Sequence, residues 1–116
     1  MAIQNYTVTP SGITNTWIVT WGAAGDADTF TPFPVNAGFA ERTAQVEGTQ
    51  AGATITINGS VDGVNYEALT TNGSNACTFA AKGVKSIWEL PLLIKPTTAS
   101  GSGSSLVVSL LLHGTI

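Results

Sequence analysis

The sequence predicts an all-β fold: a two-sheet β-sandwich or jelly roll of about 8–9 short strands. Three observations carry that expectation. Helical periodicity is nearly absent, runs of β-branched and aromatic residues return about every ten residues, and clusters of Gly, Asn, Ser and Pro separate them. A chain of 116 residues has room for one domain, residues 1–116, with a core that needs neither metal nor disulfide.

The elements follow in order. Candidate strands are 4–9, 16–21, 43–49, 53–60, 66–70, 77–80, 84–90, 93–97 and 105–112. The first lies in an extended N-terminal segment, about residues 1–15. In the second, Trp17, Val19 and Trp21 share one face, the pattern of core packing. Next comes GAAGDADTFTPFPVNAGFA, a long irregular arm over about residues 22–40 with no period and two prolines, Pro32 and Pro34. A loop of that length inside a small domain is usually functional or packed by something else. It is read either as a meander that buries its own aromatics or as an arm docked on a neighbouring subunit. The second reading makes Phe30, Phe33 and Phe39 interface candidates.

Residues 53–60 alternate cleanly, with Ile55 and Ile57 on one face and Thr54, Thr56 and Asn58 on the other, as in a strand with one buried face. Asp62-Gly63 and Asn72-Gly73 stand between strand-like runs and supply the positive backbone angles of hairpin turns. Asp62, Asn65 and Glu67 lack the ligand spacing of a calcium loop, so no metal is expected there. The stretch TTASGSGSSL, residues 97–106, reads as an exposed polar loop. In the last strand Leu106, Val108, Leu110 and Leu112 fill one face, while Val107 and Leu111 flank Ser109 on the other. A strand apolar on both faces is either central in a sandwich with something over its outer side or covered by another chain, and the second reading makes Val107 and Leu111 candidates for contact with that chain.

Composition excludes several function classes. Only 9% of residues are charged and the net charge is −3. Arg42, Lys82, Lys85 and Lys95 are too few and too dispersed for a nucleic-acid surface, so no nucleic acid is expected as a partner. The longest apolar run, SLVVSLLL, is far short of the ~20 residues that span a bilayer, and no membrane role is expected. MAIQNYTVTPSG lacks the basic start and apolar run of a secretory signal, so the expected place of synthesis and residence is the cytoplasm.

Chemistry is equally sparse. The single histidine, His113, lies near the end of the chain and reads as a strand-end residue rather than a base. The single cysteine, Cys77, reads as a small buried hydrophobe. The carboxylates are scattered, with no pairing of glycosidase type. Catalytic and cofactor-binding residues are therefore expected to be none, and the protein is expected not to be an enzyme.

The chain also resembles a family of small structural proteins of tailed bacteriophages, the capsid decoration or cement proteins. The matching residues are Trp21, Gly25-Asp26, AQVEGTQAGATITINGSVDGVNYEAL from 44 to 69, TFAAKGVKSIWELPLLIKP from 78 to 96 and the closing SLVVSLLL. Within them Gly48, Gly52 to Thr54, Gly59-Ser60, Asp62-Gly63, Tyr66 and Pro96 form a set. The chain departs from the pattern at Lys95, where arginine is expected, and at its HGTI ending, and residues 1–15 do not match.

The resemblance implies a β-sandwich that oligomerises and sits on the outer capsid surface of a virion. It would be made in the host cytoplasm and would bridge and stabilise adjacent major capsid subunits. Its partners would be the major capsid protein and itself, as a homo-oligomer, a trimer first and otherwise a dimer. The competing expectation is a tail or head-fibre component or adhesin that binds a host-surface glycan, for which Trp17, Trp88 and Tyr66 with Asn65 are the aromatic and polar candidates.

Overall fold

The computed structural model describes residues 3–12, 15–25, 28–35, 39–71, 75–89, 91–100 and 103–114. Among them are strands and no helix. In chain order the strands are β1 (Ile3–Gln4), β2 (Tyr6–Pro10), β3 (Thr16–Ala24), β4 (Thr29–Phe30), β5 (Phe33–Pro34) and β6 (Phe39–Thr49). Then follow β7 (Ala53–Ser60), β8 (Glu67–Ala68), β9 (Thr78–Phe79), β10 (Gly83–Ser86), β11 (Leu93–Ser100) and β12 (Ser105–Gly114).

Two five-stranded sheets make the sandwich. The first runs β10-β6-β12-β3-β2, antiparallel throughout. The second runs β5-β11-β7-β8, with β9 pairing the same edge of β7 as β8. β1 and β4 form a small parallel pair. The C-terminal strand β12 is the centre of the first sheet, held between β6 and β3 over nearly its whole length.

The period of two places most side chains of the core. Val19 and Trp21 of β3, Ala44 and Val46 of β6, and Leu106, Val108, Leu110 and Leu112 of β12 all point inward and are buried. They meet Ala53, Ile55 and Ile57 of β7, Phe79 of β9 and Ile94 of β11 in one cluster. On the opposite face of β7 the polar alternates bond across strands: Thr56 to the Thr78 hydroxyl at 3.2 Å, and Asn58 Nδ2 to Thr97 Oγ1 at 2.9 Å.

The structure redraws several expected boundaries, three of them with consequences for the fold. Strand-like residues 84–90 shorten to β10, since Ile87 N–H donates to Arg42 O at 3.0 Å and Trp88 N–H to Thr70 O at 3.0 Å. The chain there passes from the first sheet toward the β8 end of the second. The polar stretch 97–106 is mostly ladder rather than loop: Thr97, Thr98, Ala99 and Ser100 pair with Thr56, Ile55, Thr54 and Ala53. Serine and threonine satisfy a pleated edge as readily as a turn.

The third change concerns the expected irregular arm. β3 extends through Ala24, β4 joins β1, and β5 caps β11 through Leu93↔Pro34 and Ile94↔Phe33. Trp21 Nε1 donates to Thr31 O at 2.9 Å, and Thr31 N–H donates to Gln4 O at 3.0 Å. Val35 N–H donates to Leu92 O at 2.8 Å. The segment closes one side of the sandwich and is fastened at each end.

Candidate interaction surface

Phe30, expected at a partner surface, is 5% exposed and belongs to the core. This corrects its assignment: the two residues of β4 turn its ring inward, where burial of an aromatic side chain is worth about 1.5–3 kcal/mol. Phe33 is half-buried and packs edge-on against Tyr6, 5.1 Å between ring centroids and 88° between planes. Tyr6 also meets Trp21 edge-on at 6.2 Å and 69°. Such pairs favour the edge-on geometry because a positive ring edge meets a negative ring face. The backbone of Phe39 opens β6, and its side chain lies outside the described residues, as do Asn72 and Gly73.

The outer residues of β12 fare differently. Val107 and Leu111 are 40% and 39% exposed, on the face of the first sheet turned away from the core. Register brings Leu111 beside Ile18 of β3 and Thr43 of β6, and Ser109 beside Thr20 and Gln45. Val84 of β10, paired with Gln45, completes the row and is also exposed. Ile18, Thr43, Gln45, Val84, Ser109 and Leu111 line a concavity of about 200 Å³ with no charged side chain. Val107 pairs with Glu47, whose carboxylate accepts a long bond of 3.4 Å from Gln45 Nε2.

The sequence reading named Val107 and Leu111 but missed Ile18 and Val84. Ile18 alternates with Trp17, Val19 and Trp21, so its opposite orientation was available. Its adjacency to Leu111 depends on register across three strands distant in sequence.

The Asp62 loop is a closed hydrogen-bonded unit. Asp62 Oδ1 accepts from Val64 N–H, Asn65 N–H and Ser60 Oγ, each at 2.9 Å, and Oδ2 accepts from Asn65 Nδ2 at 2.9 Å. Ser60 Oγ in turn accepts from Asp62 N–H at 3.2 Å and Gly63 N–H at 2.9 Å. The backbone N–H groups of Asn65 and Val64, then the Asn65 amide and Ser60 hydroxyl, hold the Asp62 carboxyl well below the usual carboxylate range. Gly63 has φ 78°, the left-handed region that glycine enters without a Cβ penalty. Asp62 therefore turns the chain, though through a six-residue connection between β7 and β8 and not a two-residue hairpin.

Other titratable groups serve the fold. Burial pushes the Cys77 thiol up to about 11, with Lys85 opposing and Glu89 adding to the rise, which disfavours a thiolate nucleophile. His113 Nδ1 lies 2.8 Å from Thr16 Oγ1, across the β12:β3 pair. Arg42, buried within β6, donates from Nη2 to Trp88 O at 3.1 Å. Glu89 accepts from Thr70 N–H at 2.8 Å and from the Thr70 hydroxyl. Desolvation works to raise its pKa, but the Thr70 bonds and the Arg42 charge outweigh it and hold the carboxyl below its ordinary value.

Glu89 also lines an open groove of about 460 Å³ formed with Gly59, Ser60, Val61, Asn65, Glu67, Ala68, Leu69 and Pro91. Among the described residues no three His, Cys, Asp or Glu side chains come together as a metal site. The aromatic residues considered for sugar binding have separate environments. Lys95 Nζ sits over the Tyr66 ring at 4.3 Å, Trp17 stands on the core side of β3, and Trp88 is exposed beyond β10.

By sequence the chain matches no protein-family model and no curated protein. By structure it is similar to the SPBc2 prophage-derived protein YomS, with a TM-score of 0.63 at 15% identity over 89% of this chain and 99% of that one. It is also similar to the PBSX exported protein XepA, with a TM-score of 0.64 at 15% identity over 86% of this chain and 39% of that one. The chain thus spans about two fifths of XepA. Likeness at this level of identity is likeness of fold: an all-β two-sheet sandwich shared with both proteins.

Proposed function

We propose that this chain is a non-enzymatic structural protein of a bacteriophage. It binds the outside of the capsid as a homo-oligomer and bridges adjacent major capsid subunits. The observation that carries the reading is the outer face of the first sheet, where Leu111 and Val107 of the doubly paired β12, with Ile18 of β3 and Val84 of β10, form an apolar, nearly uncharged surface. A shell protein offers a matching flat surface repeated many times, and several weak contacts per oligomer then add through effective concentration. Binding only to the assembled shell opposes its disassembly by mass action. The fold shared with a prophage-derived and a PBSX protein favours a phage setting.

The test is co-sedimentation of the purified protein with mature heads of the phage whose genome carries it, beside uncoated host cells. Pelleting with heads, reduced when Leu111 is replaced by Gln, is the expected result. Pelleting with cells instead would move the function to adhesion.

A further inference from the structure

We infer that β2 is a self-pairing edge: two copies of this chain join β2 to β2, antiparallel, about a two-fold axis at Val8. The inference rests on the homo-oligomer reading above and names the contact that would make it.

β2 ends the first sheet, and Thr7, Val8, Thr9 and Pro10 are exposed. The direction of its backbone groups follows from one bond. Ser11 N–H donates to Thr16 O at 3.2 Å, continuing the register in which Pro10 lies opposite Trp17 and Thr9 opposite Ile18. Antiparallel ladders alternate bonded and non-bonded pairs. Thr9 and Thr7 therefore exchange bonds with Ile18 and Thr20, while the N–H and C=O groups of Tyr6 and Val8 and the C=O of Pro10 point outward. Pro10 stands where the missing N–H would have faced outward, the place a strand tolerates proline.

A two-fold axis at Val8 uses this set efficiently. Val8 N–H meets Val8 O of the second copy in both directions, and Tyr6 N–H meets Pro10 O in both directions. The donor that each Pro10 lacks leaves one bond per copy unmade, two across the pair. Side chains agree with the same register: Val8 lies beside Val8 and Tyr6 beside Pro10 on one face, with Thr7 opposite Thr9 on the other. Cross-strand pairs of β-branched residues favour such a ladder, and no charge opposes it.

The remaining edges are less suited to it. β10 carries Lys85 and follows Lys82, and edge lysines guard against pairing. In the second sheet the edge strands β5, β8 and β9 have two residues each, too few for a ladder. β2 has five residues and no lysine, and its proline stands at the end of the strand, where the pairing loses only the Pro10 donor.

Val8→Pro tests the inference directly, because it removes an outward N–H and leaves the bonds to β3 in place. Light-scattering mass is expected to fall from two chains to one, with β-sheet circular dichroism retained. Val8→Cys covers the case in which the proline variant does not fold. Bonded antiparallel partners lie about 5.5 Å apart between Cα atoms, within disulfide reach, and Cys77 is buried, so mild oxidation is expected to give a covalent dimer. A larger oligomer whose mass is unchanged by Val8→Pro, with no covalent dimer from Val8→Cys, would overturn the β2 edge and leave the homo-oligomer reading standing. A one-chain mass for the wild type at its highest soluble concentration would overturn both.

Discussion

Leu110 and Leu111 are the same residue one position apart in β12, yet one is 1% exposed and the other 39%. Strand geometry sends them to opposite faces. Leu110 faces the second sheet and joins the core, whereas Leu111 faces outward between Ile18 and Thr43. The comparison teaches that apolar character in this strand has two separate causes. One face is apolar because a core must be filled, and nothing within the chain's described residues requires the other to be.

Substitutions can break or sharpen that contrast. Leu110→Ala is expected to have the largest effect, a loss of about 2–5 kcal/mol from missing contacts and a residual cavity, read from urea denaturation. A loss near zero would mean that the inner face is not the core. Gly48→Ala comes next. Gly48 pairs with Leu106 at φ 114°, and a Cβ there would strike the Ser105 carbonyl. Backbone strain alone is expected to cost about 1–3 kcal/mol, visible as a lower Tm, and unchanged stability would show that this end of the β6:β12 ladder is free to shift.

Leu111→Gln should change stability by less than about 0.5 kcal/mol, as surface changes usually do, while weakening attachment to heads. Equal attachment by the variant and the wild type would remove the outer face from the proposed function.

Asp62 lies in a connection outside both faces and provides the smallest effect, one defined by pH. Its carboxyl is held below the usual range by the N–H groups of Asn65 and Val64. The resulting stabilisation is present above the unfolded carboxyl pKa of about 3.9 and fades as pH falls below it toward the folded value. The Tm difference between wild type and Asp62→Ala is therefore expected to be constant from about pH 8 to pH 5 and to narrow from about pH 4 downward. A gap independent of pH would show that the carboxylate bonds contribute little. Asp62→Asn should keep the Val64 and Asn65 N–H bonds through Oδ1 and lose the Asn65 Nδ2 bond, leaving it closer to the wild type than Ala.

The sequence reading recovered the interior better than the periphery. Ala53–Ser60 matched its expected strand at both ends because eight alternating residues carry their own register. Trp21, Val19 and the inner residues of β12 were legible for the same reason. β4 and β5, at two residues each, are too short to show a period, so Phe30 was read as available when it is buried. Trp17 shares its face with Trp21 but remains 39% exposed, although its cross-strand partner Leu112 is buried.

The sequence by itself determined the all-β class, the inward faces of β3, β7 and β12 and the turn at Asp62-Gly63, because alternation and turn chemistry act between residues a few positions apart. Only the tertiary structure decided that the C-terminal strand occupies the sheet centre, that the segment around Phe30 closes the core, and that β2 is left at an edge. Those outcomes depend on which strands pair across most of the chain, and no local pattern fixes a partner that far away.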